Sequence, residues 1–89
     1  MRFLVHSLQV PDLDDAQRGR LYAAMQRFYA HVPAGVTLEC DYIKADRSGS
    51  YSVLEVPDRA ALDAIMAPFE GLVRVEIVPV LTKEEAMGA

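Results

Sequence analysis

Residues that can transfer protons at neutral pH give the first indication of what this sequence could do. His6 lies in the middle of the apolar stretch formed by residues 2–10. Histidine titrates close to pH 7, so His6 could act as a general acid or base in the wall of a pocket. The alternative is a packed histidine whose ring nitrogen makes a structural hydrogen bond.

Carboxylates on predicted strands are a second group of candidates. Aspartate and glutamate are depleted in strands, so their presence there needs a reason. The four are Glu39, Asp41, Glu55 and Glu76. In an enclosed site, desolvation would raise the pKa of such a group and make it a usable base for removing a proton beside a carbonyl. The alternative is a solvated side chain, or an ion pair with Arg74 or Lys44 across a dimer.

Aromatic side chains could complete such a site. Tyr51 and Tyr42 could each donate a hydrogen bond to the oxygen of a developing enolate. Aromatic and sulfur-containing side chains could also line a pocket for an apolar ligand. The predicted ligand-binding residues are Tyr22, Met25, Phe28, Tyr29 and Tyr42. Each of them would otherwise be an ordinary strand or core residue, and a pocket would replace part of that core.

The hydrophobic pattern predicts the order strand, helix, strand, strand, helix, strand. Alternation with a period of two predicts strands, and apolar residues at i, i+3, i+4 and i+7 predict helices. Asp14 followed by Gln17 resembles a capping box, and Asp58 is the expected N-cap of the second helix. The predicted strands are residues 2–10, 36–45, 51–56 and 73–81. The segment 82–89 is either a short terminal helix or a frayed tail.

This order predicts one α+β domain over residues 1–89, with the ferredoxin-like βαββαβ arrangement. Right-handed crossovers place both helices on one face of a four-stranded antiparallel sheet. The first strand nevertheless carries apolar residues on both sides, with Phe3 and Val5 on one and Leu4 and Leu8 on the other. Each such side chain gains roughly 1.5–3 kcal/mol when it is fully buried. We therefore predict that two copies pack sheet against sheet as a dimeric α/β barrel.

Composition argues against several other classes of function. The net charge of −4 disfavours nucleic acids and anionic membranes as partners. Two histidines and the single Cys40 show no metal-ligand spacing and allow no internal disulfide. We expect no metal and no organic cofactor. Since the N-terminus is too polar for a signal peptide and no apolar run approaches about 20 residues, a cytoplasmic protein is expected.

Short motifs also resemble a known family. Residues 33–37 (PAGVT), 75–80 (VEIVPV) and 84–86 (EEA) resemble a bacterial family, described as a domain of unknown function, in the dimeric α/β-barrel superfamily. The C-terminal half, through residues 51–56 (YSVLEV) and 75–80, is similar to the muconolactone isomerase family. That superfamily includes isomerases, polyketide cyclases, cofactor-free monooxygenases and haem-degrading enzymes. The resemblance implies a dimer with a pocket in each subunit for a small hydrophobic or aromatic molecule. Glu55 and Glu76 fall inside it and are the first choices for a catalytic base.

We therefore predict a small cofactor-free enzyme that acts on a hydrophobic, aromatic or polyketide-like molecule by proton transfer. It would be an isomerase or cyclase, with a cofactor-free monooxygenase as a variant. His6 and one of Glu55 or Glu76 would be acid and base, and Tyr51 or Tyr42 would stabilise the oxygen.

Two alternatives remain open at this point: a non-catalytic ligand-binding dimer and an accessory subunit that docks a larger partner. The enzyme requires a cavity with at least two polar groups within hydrogen-bond reach of one point. The binding protein requires an almost wholly apolar cavity. The accessory subunit requires a filled core and an apolar patch left outside the homodimer.

Overall fold

The computed structural model describes residues 1–88 of the chain. The strands are β1 (Arg2–Gln9), β2 (Thr37–Ile43), β3 (Gly49–Glu55) and β4 (Val73–Pro79). The helices are α1 (Asp15–Ala30), α2 (Arg59–Met66), which a 3₁₀ turn (Ala67–Phe69) extends, and α3 (Lys83–Gly88). The predicted order of elements is confirmed, with a short terminal helix rather than a frayed tail, and the ends of the strands differ from the prediction by one or two residues.

The four strands form one antiparallel sheet in the order β2-β3-β1-β4. The central strand β1 is paired on both sides, so that His6 lies opposite Tyr51 of β3 and opposite Glu76 of β4. Phe28 of α1 and Leu62 of α2 pack in the same core cluster, which places both helices on one face of the sheet. This is the ferredoxin-like arrangement that the sequence predicts.

Both major helices begin at the residues that the sequence predicts. The Asp14 carboxylate accepts the main-chain N–H of Gln17 at 2.7 Å, and the Gln17 side chain accepts the N–H of Asp14 at 2.9 Å. The Asp58 carboxylate accepts the N–H of Ala61 at 2.8 Å. These bonds satisfy helix N–H groups that would otherwise lack partners. At its other end, α1 is capped by His31.

A bulge in β2 changes which of its side chains face the helices. The pairing of β2 with β3 shifts between Leu38 and Cys40, so Glu39 is the extra residue. Strict alternation along residues 36–45 predicts that Leu38, Cys40 and Tyr42 share one face, and the bulge makes that prediction wrong. An extra residue reverses the alternation beyond it, which turns Asp41 toward the helices and Tyr42 away from them.

The buried core lies under α2, at one end of the helix-covered face. Its members are Phe3, Val5, Leu54, Val56 and Leu62. Leu62 and Val56 are fully buried. Toward the other end of the same face, the strands carry serines instead, so the apolar core does not continue along the sheet.

Helix α1 packs more loosely than its apolar stripe predicts. All of its residues are exposed or half-buried. The i, i+3, i+4 and i+7 spacing of apolar residues predicts one buried stripe, formed by Leu21, Ala24, Met25, Phe28 and Val32. The first four are half-buried, and Val32 lies beyond the helix end with 41% of its surface exposed. The side of α1 that faces the sheet is the predicted one, but its residues are less buried than predicted. The reason is that α1 faces a cavity for much of its length.

The sheet surface turned away from α1 and α2 is here called the open face. It carries Leu4, His6, Leu8, Cys40, Tyr42, Tyr51, Val53, Glu55, Glu76 and Val78. Several of these side chains are apolar and lie in the middle of the sheet. The described chain has apolar residues on both faces, as predicted, and α1 and α2 cover one of them.

Arg2 ties the terminal helix to the sheet. Its guanidinium donates to the carboxylates of Glu39, Glu55 and Glu85, the bond to Glu55 being 3.0 Å long. Glu85 belongs to α3, and its main-chain N–H also donates to the hydroxyl of Thr82 at 3.0 Å. The start of α3 is thereby capped and held beside β1.

Candidate functional site

A cavity of about 640 Å³ lies between the helices and the sheet. This volume is within the range of about 300–1,000 Å³ that is typical of small-molecule sites. Much of its wall is apolar and includes Leu21, Met25, Phe28, Leu38, Leu54 and Ile65. Three cations also line the cavity: Arg18 on α1, and Lys44 and Arg47 in the connection between β2 and β3. We call the part of the wall formed by these three residues the mouth, since Arg18 and Arg47 are exposed to solvent.

The cavity exists because side chains on the helix-covered face of the sheet change from large and apolar to small and polar along the strands. Val5 on β1 is followed two residues later by Ser7, and Leu54 on β3 is preceded by Ser52 and Ser50. Ser7 lies directly opposite Ser50 in the sheet, and Val5 lies opposite Ser52. These small side chains do not span the distance to α1. The space that a core would otherwise fill stays open.

A cluster of three polar side chains lies in the cavity wall. The Tyr29 hydroxyl donates to one oxygen of the Asp41 carboxylate. The Ser52 hydroxyl donates to the other oxygen at 2.8 Å. All three residues line the cavity. Asp41 is thus an acceptor held between two hydroxyl donors, and the three groups lie within hydrogen-bond reach of one point.

The environment of Tyr29 keeps its phenol protonated. Partial desolvation, followed by the hydrogen bond to Asp41 and the negative charge of that carboxylate, raises the pKa of Tyr29 to about 12, although 53% of its surface is exposed. A phenol with a raised pKa remains a hydrogen-bond donor throughout the neutral range. The pair can therefore offer a donor and a proton acceptor side by side.

Four of the five predicted ligand-binding residues line this cavity. They are Tyr22, Met25, Phe28 and Tyr29, all on α1. Tyr42 lies on the open face instead, opposite Tyr51. The bulge at Glu39 accounts for the difference, since it reverses the direction of the strand residues that follow.

All four predicted catalytic residues lie on the open face, three of them side by side. The rings of His6 and Tyr51 stack with their centres 4.4 Å apart and nearly parallel. Glu76 lies beside His6 on β4, and Glu55 binds Arg2 at the end of the sheet. The sheet therefore separates all four from the cavity, and sequence reasoning alone did not reveal this separation.

One atom of His6 is unusual on this surface. Its Nε2 is buried and has no hydrogen-bond partner among the described residues. Stacking on Tyr51 covers the ring from one side. The alternative to a catalytic His6 is a packed histidine whose ring nitrogen makes a structural hydrogen bond. The ring does pack against Tyr51, but its Nε2 makes no hydrogen bond among the described residues.

Sequence reasoning gave Asp41 too little weight. It was one of the four strand carboxylates, but Glu55 and Glu76 were preferred because they fall within the resemblance. A simple alternation also placed Asp41 on the face opposite Leu38. The change from large apolar residues to serines along β1 and β3 was the signal available in the sequence, because it locates the end of the core.

Residues 1–88 contain no group of three or more histidine, cysteine, aspartate or glutamate side chains placed to hold a metal ion. Within the same residues, no helix has the length and hydropathy needed to cross a bilayer.

Comparison with known proteins identifies the family. The family model described as "Domain of unknown function (DUF3303)" matches residues 1–89. The chain belongs to this family. No curated protein sequence matches this DUF3303 protein.

Solved structures share the fold of the DUF3303 protein. It is similar to muconolactone isomerase, with 24% identity and a TM-score of 0.73 over 98% of this chain and 95% of that one. It is also similar to an antibiotic biosynthesis monooxygenase, with 15% identity and a TM-score of 0.50 over 92% and 100% of the two chains. A third similar structure is Rv0793 from Mycobacterium tuberculosis, with 19% identity and a TM-score of 0.49 over 93% and 98%. The first two likenesses show a common ferredoxin-like fold.

Proposed function

We propose that the DUF3303 protein is a small enzyme that binds an apolar molecule between its helices and sheet and moves a proton on it, as an isomerase or cyclase does. One observation carries this proposal: Tyr29, Asp41 and Ser52 are hydrogen-bonded to one another in the wall of a largely apolar cavity. Proton transfer of this kind can be performed by side chains alone, so the proposal requires no metal and no organic cofactor.

Asp41 and Tyr29 divide the chemistry between them. The Asp41 carboxylate would remove a proton from a carbon beside a carbonyl and later return it to another carbon. The Tyr29 phenol, whose pKa of about 12 keeps it protonated well above neutral pH, would donate to the carbonyl oxygen as negative charge develops there. Before a ligand binds, the two groups bind each other, and the carbonyl of the substrate would take the place of Asp41 as the acceptor for Tyr29.

The alternatives fit the cavity less well. A protein that only binds an apolar ligand has no use for a carboxylate held by two hydroxyls in the cavity wall. An accessory subunit would have filled its core, whereas here the core ends at the serines. A cofactor-free monooxygenase is a variant of the proposal, because it too would begin by removing a proton from its substrate. The names of the two solved relatives describe an isomerase and a monooxygenase, which supports small-molecule chemistry as the class.

We also propose that two copies associate through the open face. Leu4, Leu8 and Val78 form an apolar strip across its centre, and Tyr42 has 69% of its surface exposed there. Covering these side chains with a second sheet would remove apolar surface from water at roughly 25 cal/mol per Å². In this arrangement His6, Tyr51, Glu55 and Glu76 would serve the interface rather than the chemistry.

Hydrogen exchange into a probe ketone tests the proposed chemistry. 2-Tetralone is apolar, small enough for the cavity, and has acidic C–H groups beside its carbonyl. In D₂O the native protein should accelerate loss of the α-proton signal, followed by NMR, above the rate in buffer alone. Asp41→Asn should lower the protein-dependent rate by about 10²–10⁴-fold, the usual contribution of a general base.

Asp63→Asn is the matched control, because Asp63 is an exposed carboxylate on α2 that pairs with Arg59. It should exchange the ketone at the native rate. Binding of the ketone without accelerated exchange would instead favour the ligand-binding protein, and an unchanged rate in Asp41→Asn would remove Asp41 from the mechanism.

A further inference from the structure

The charge around the cavity is opposite in sign to that of the whole protein. The chain has a net charge of −4. The charged residues that line the cavity are nevertheless three cations, Arg18, Lys44 and Arg47, and one anion, Asp41. The cations all lie at the mouth, whereas Asp41 lies in the wall beside Tyr29 and Ser52.

Two of these cations are placed to meet a ligand. Arg18 is on α1 and Arg47 is in the turn between β2 and β3, so the two guanidinium groups come from different elements of the cavity wall. Both are exposed. The ammonium group of Lys44 lies 5.9 Å from the ring centre of Tyr51, which directs it toward the open face.

Neighbouring acidic groups leave the two arginines available. Arg18 pairs at 2.8 Å with Asp15, whose side chain is almost fully exposed, and such an i,i+3 pair on a surface is weak. Among residues 1–88, Arg47 has no ion pair. The nearby Asp46 is engaged by the hydroxyl and N–H of Ser48 at 2.6 and 2.9 Å, which lower the pKa of that carboxyl.

We propose that the ligand of this cavity is an apolar carboxylic acid whose carboxylate is bound at the mouth by Arg18 and Arg47. This inference rests on the proposed function and names the class of substrate. The apolar body would lie against Met25, Phe28 and Leu54. Arginine is suited to this role because its planar guanidinium matches a carboxylate with two parallel hydrogen bonds.

The same charges would orient the ligand. A carboxylate is attracted to the two guanidinium groups and repelled by Asp41, so the acid enters with its charged end at the mouth. The carbon skeleton then extends along the cavity past Tyr29 and Asp41. A carbonyl and its adjacent C–H on that skeleton would then meet these two groups, which makes Arg18 and Arg47 positioning residues for the chemistry.

A matched pair of probes tests this recognition. 2-Naphthoic acid and 2-naphthamide have the same ring and nearly the same size, and they differ in charge at neutral pH. Dissociation constants are measured by titration calorimetry for the native protein, for the double variant Arg18→Gln/Arg47→Gln, and for the control Arg20→Gln/Arg27→Gln. The control removes the same charge from exposed positions of α1 that do not line the cavity.

The native protein should bind the acid about tenfold more tightly than the amide, since each exposed cationic contact is worth up to about fivefold in affinity. The preference should fall to about twofold or less in Arg18→Gln/Arg47→Gln and persist in the control. Raising the salt concentration should weaken binding of the acid and leave the amide unchanged, because salt screens exposed charges.

The possible failures are distinguishable. Equal binding of acid and amide by the native protein would overturn carboxylate recognition and leave the apolar cavity as the ligand site. A preference that survives in Arg18→Gln/Arg47→Gln would likewise overturn the role of the two arginines. If neither probe binds, the proposed ligand cavity fails as well. Loss of proton exchange in Asp41→Asn bears on the proposed chemistry alone.

Discussion

Shortening one residue on each helix tests whether the cavity is open. Leu62 on α2 is fully buried in the core, so Leu62→Ala should cost about 2.7–5 kcal/mol of unfolding free energy, for the lost transfer term plus a new void. Met25 on α1 is half-buried and lines the cavity. Met25→Ala removes three side-chain groups, each worth about 0.8 kcal/mol of unfolding free energy when it is fully buried. Because Met25 is only half-buried and already borders a cavity, no new void forms, and the expected loss of unfolding free energy is about 1 kcal/mol.

Urea denaturation followed by circular dichroism measures both changes at one protein concentration, with the m-value as a check on two-state unfolding. The exposed Leu81 and Met87 provide matched controls, and Leu81→Ala and Met87→Ala should each change stability by less than about 0.5 kcal/mol. The difference between Leu62→Ala and Met25→Ala should reach at least about 2 kcal/mol. If Met25→Ala cost as much as Leu62→Ala, α1 would pack tightly on the sheet and the ligand cavity would not exist.

Three further predictions concern the turn, the polar cluster and the open face. Gly49→Ala should destabilise the protein by at least about 2 kcal/mol in urea, because an added β-carbon would lie 2.1 Å from a main-chain oxygen of β1. Gly19→Ala should stabilise it by about 0.5–1 kcal/mol, since the added methyl group on α1 meets no atom within 4 Å apart from its chain neighbours and the adjacent backbone of its own helix. If both glycine variants changed stability in the same direction, this reasoning would be contradicted. The pKa of Tyr29 is raised from 10 to about 12, which means that folding favours the protonated phenol. The stability that this phenol contributes is complete below pH 10 and is lost as the pH rises to about 12. Absorbance titration should show this late phenol ionisation in the native protein and lack it in Tyr29→Phe, and Asp41→Asn should move it toward pH 10; a late step that survives Tyr29→Phe would assign it to another tyrosine. Val78→Lys should convert a sedimenting dimer into the 9.9 kDa monomer, because it places a charge in the centre of the proposed interface, and a native protein that sediments as a monomer would rule out the open face as that interface.

The sequence determined the architecture because the relevant signals are local or periodic. The Asp14 and Gln17 capping box, the N-cap at Asp58 and the period-two strands each depend on residues within a few positions of one another. Their order leaves few arrangements other than the ferredoxin-like sheet. The presence of apolar residues on both sides of β1 was equally visible, since alternate strand residues point to opposite faces.

Only the tertiary structure decided which candidate residues share a site. One extra residue at Glu39 turns Asp41 toward the helices and Tyr42 away from them, and a bulge has no reliable local pattern in this strand. Tyr29 and Ser52 come to Asp41 from a helix and from a neighbouring strand. Their meeting depends on how α1 lies over the sheet, which is set by packing between distant segments. The sequence therefore specified the kinds of chemistry available, and the three-dimensional packing placed Asp41 in the cavity and His6 on the opposite face.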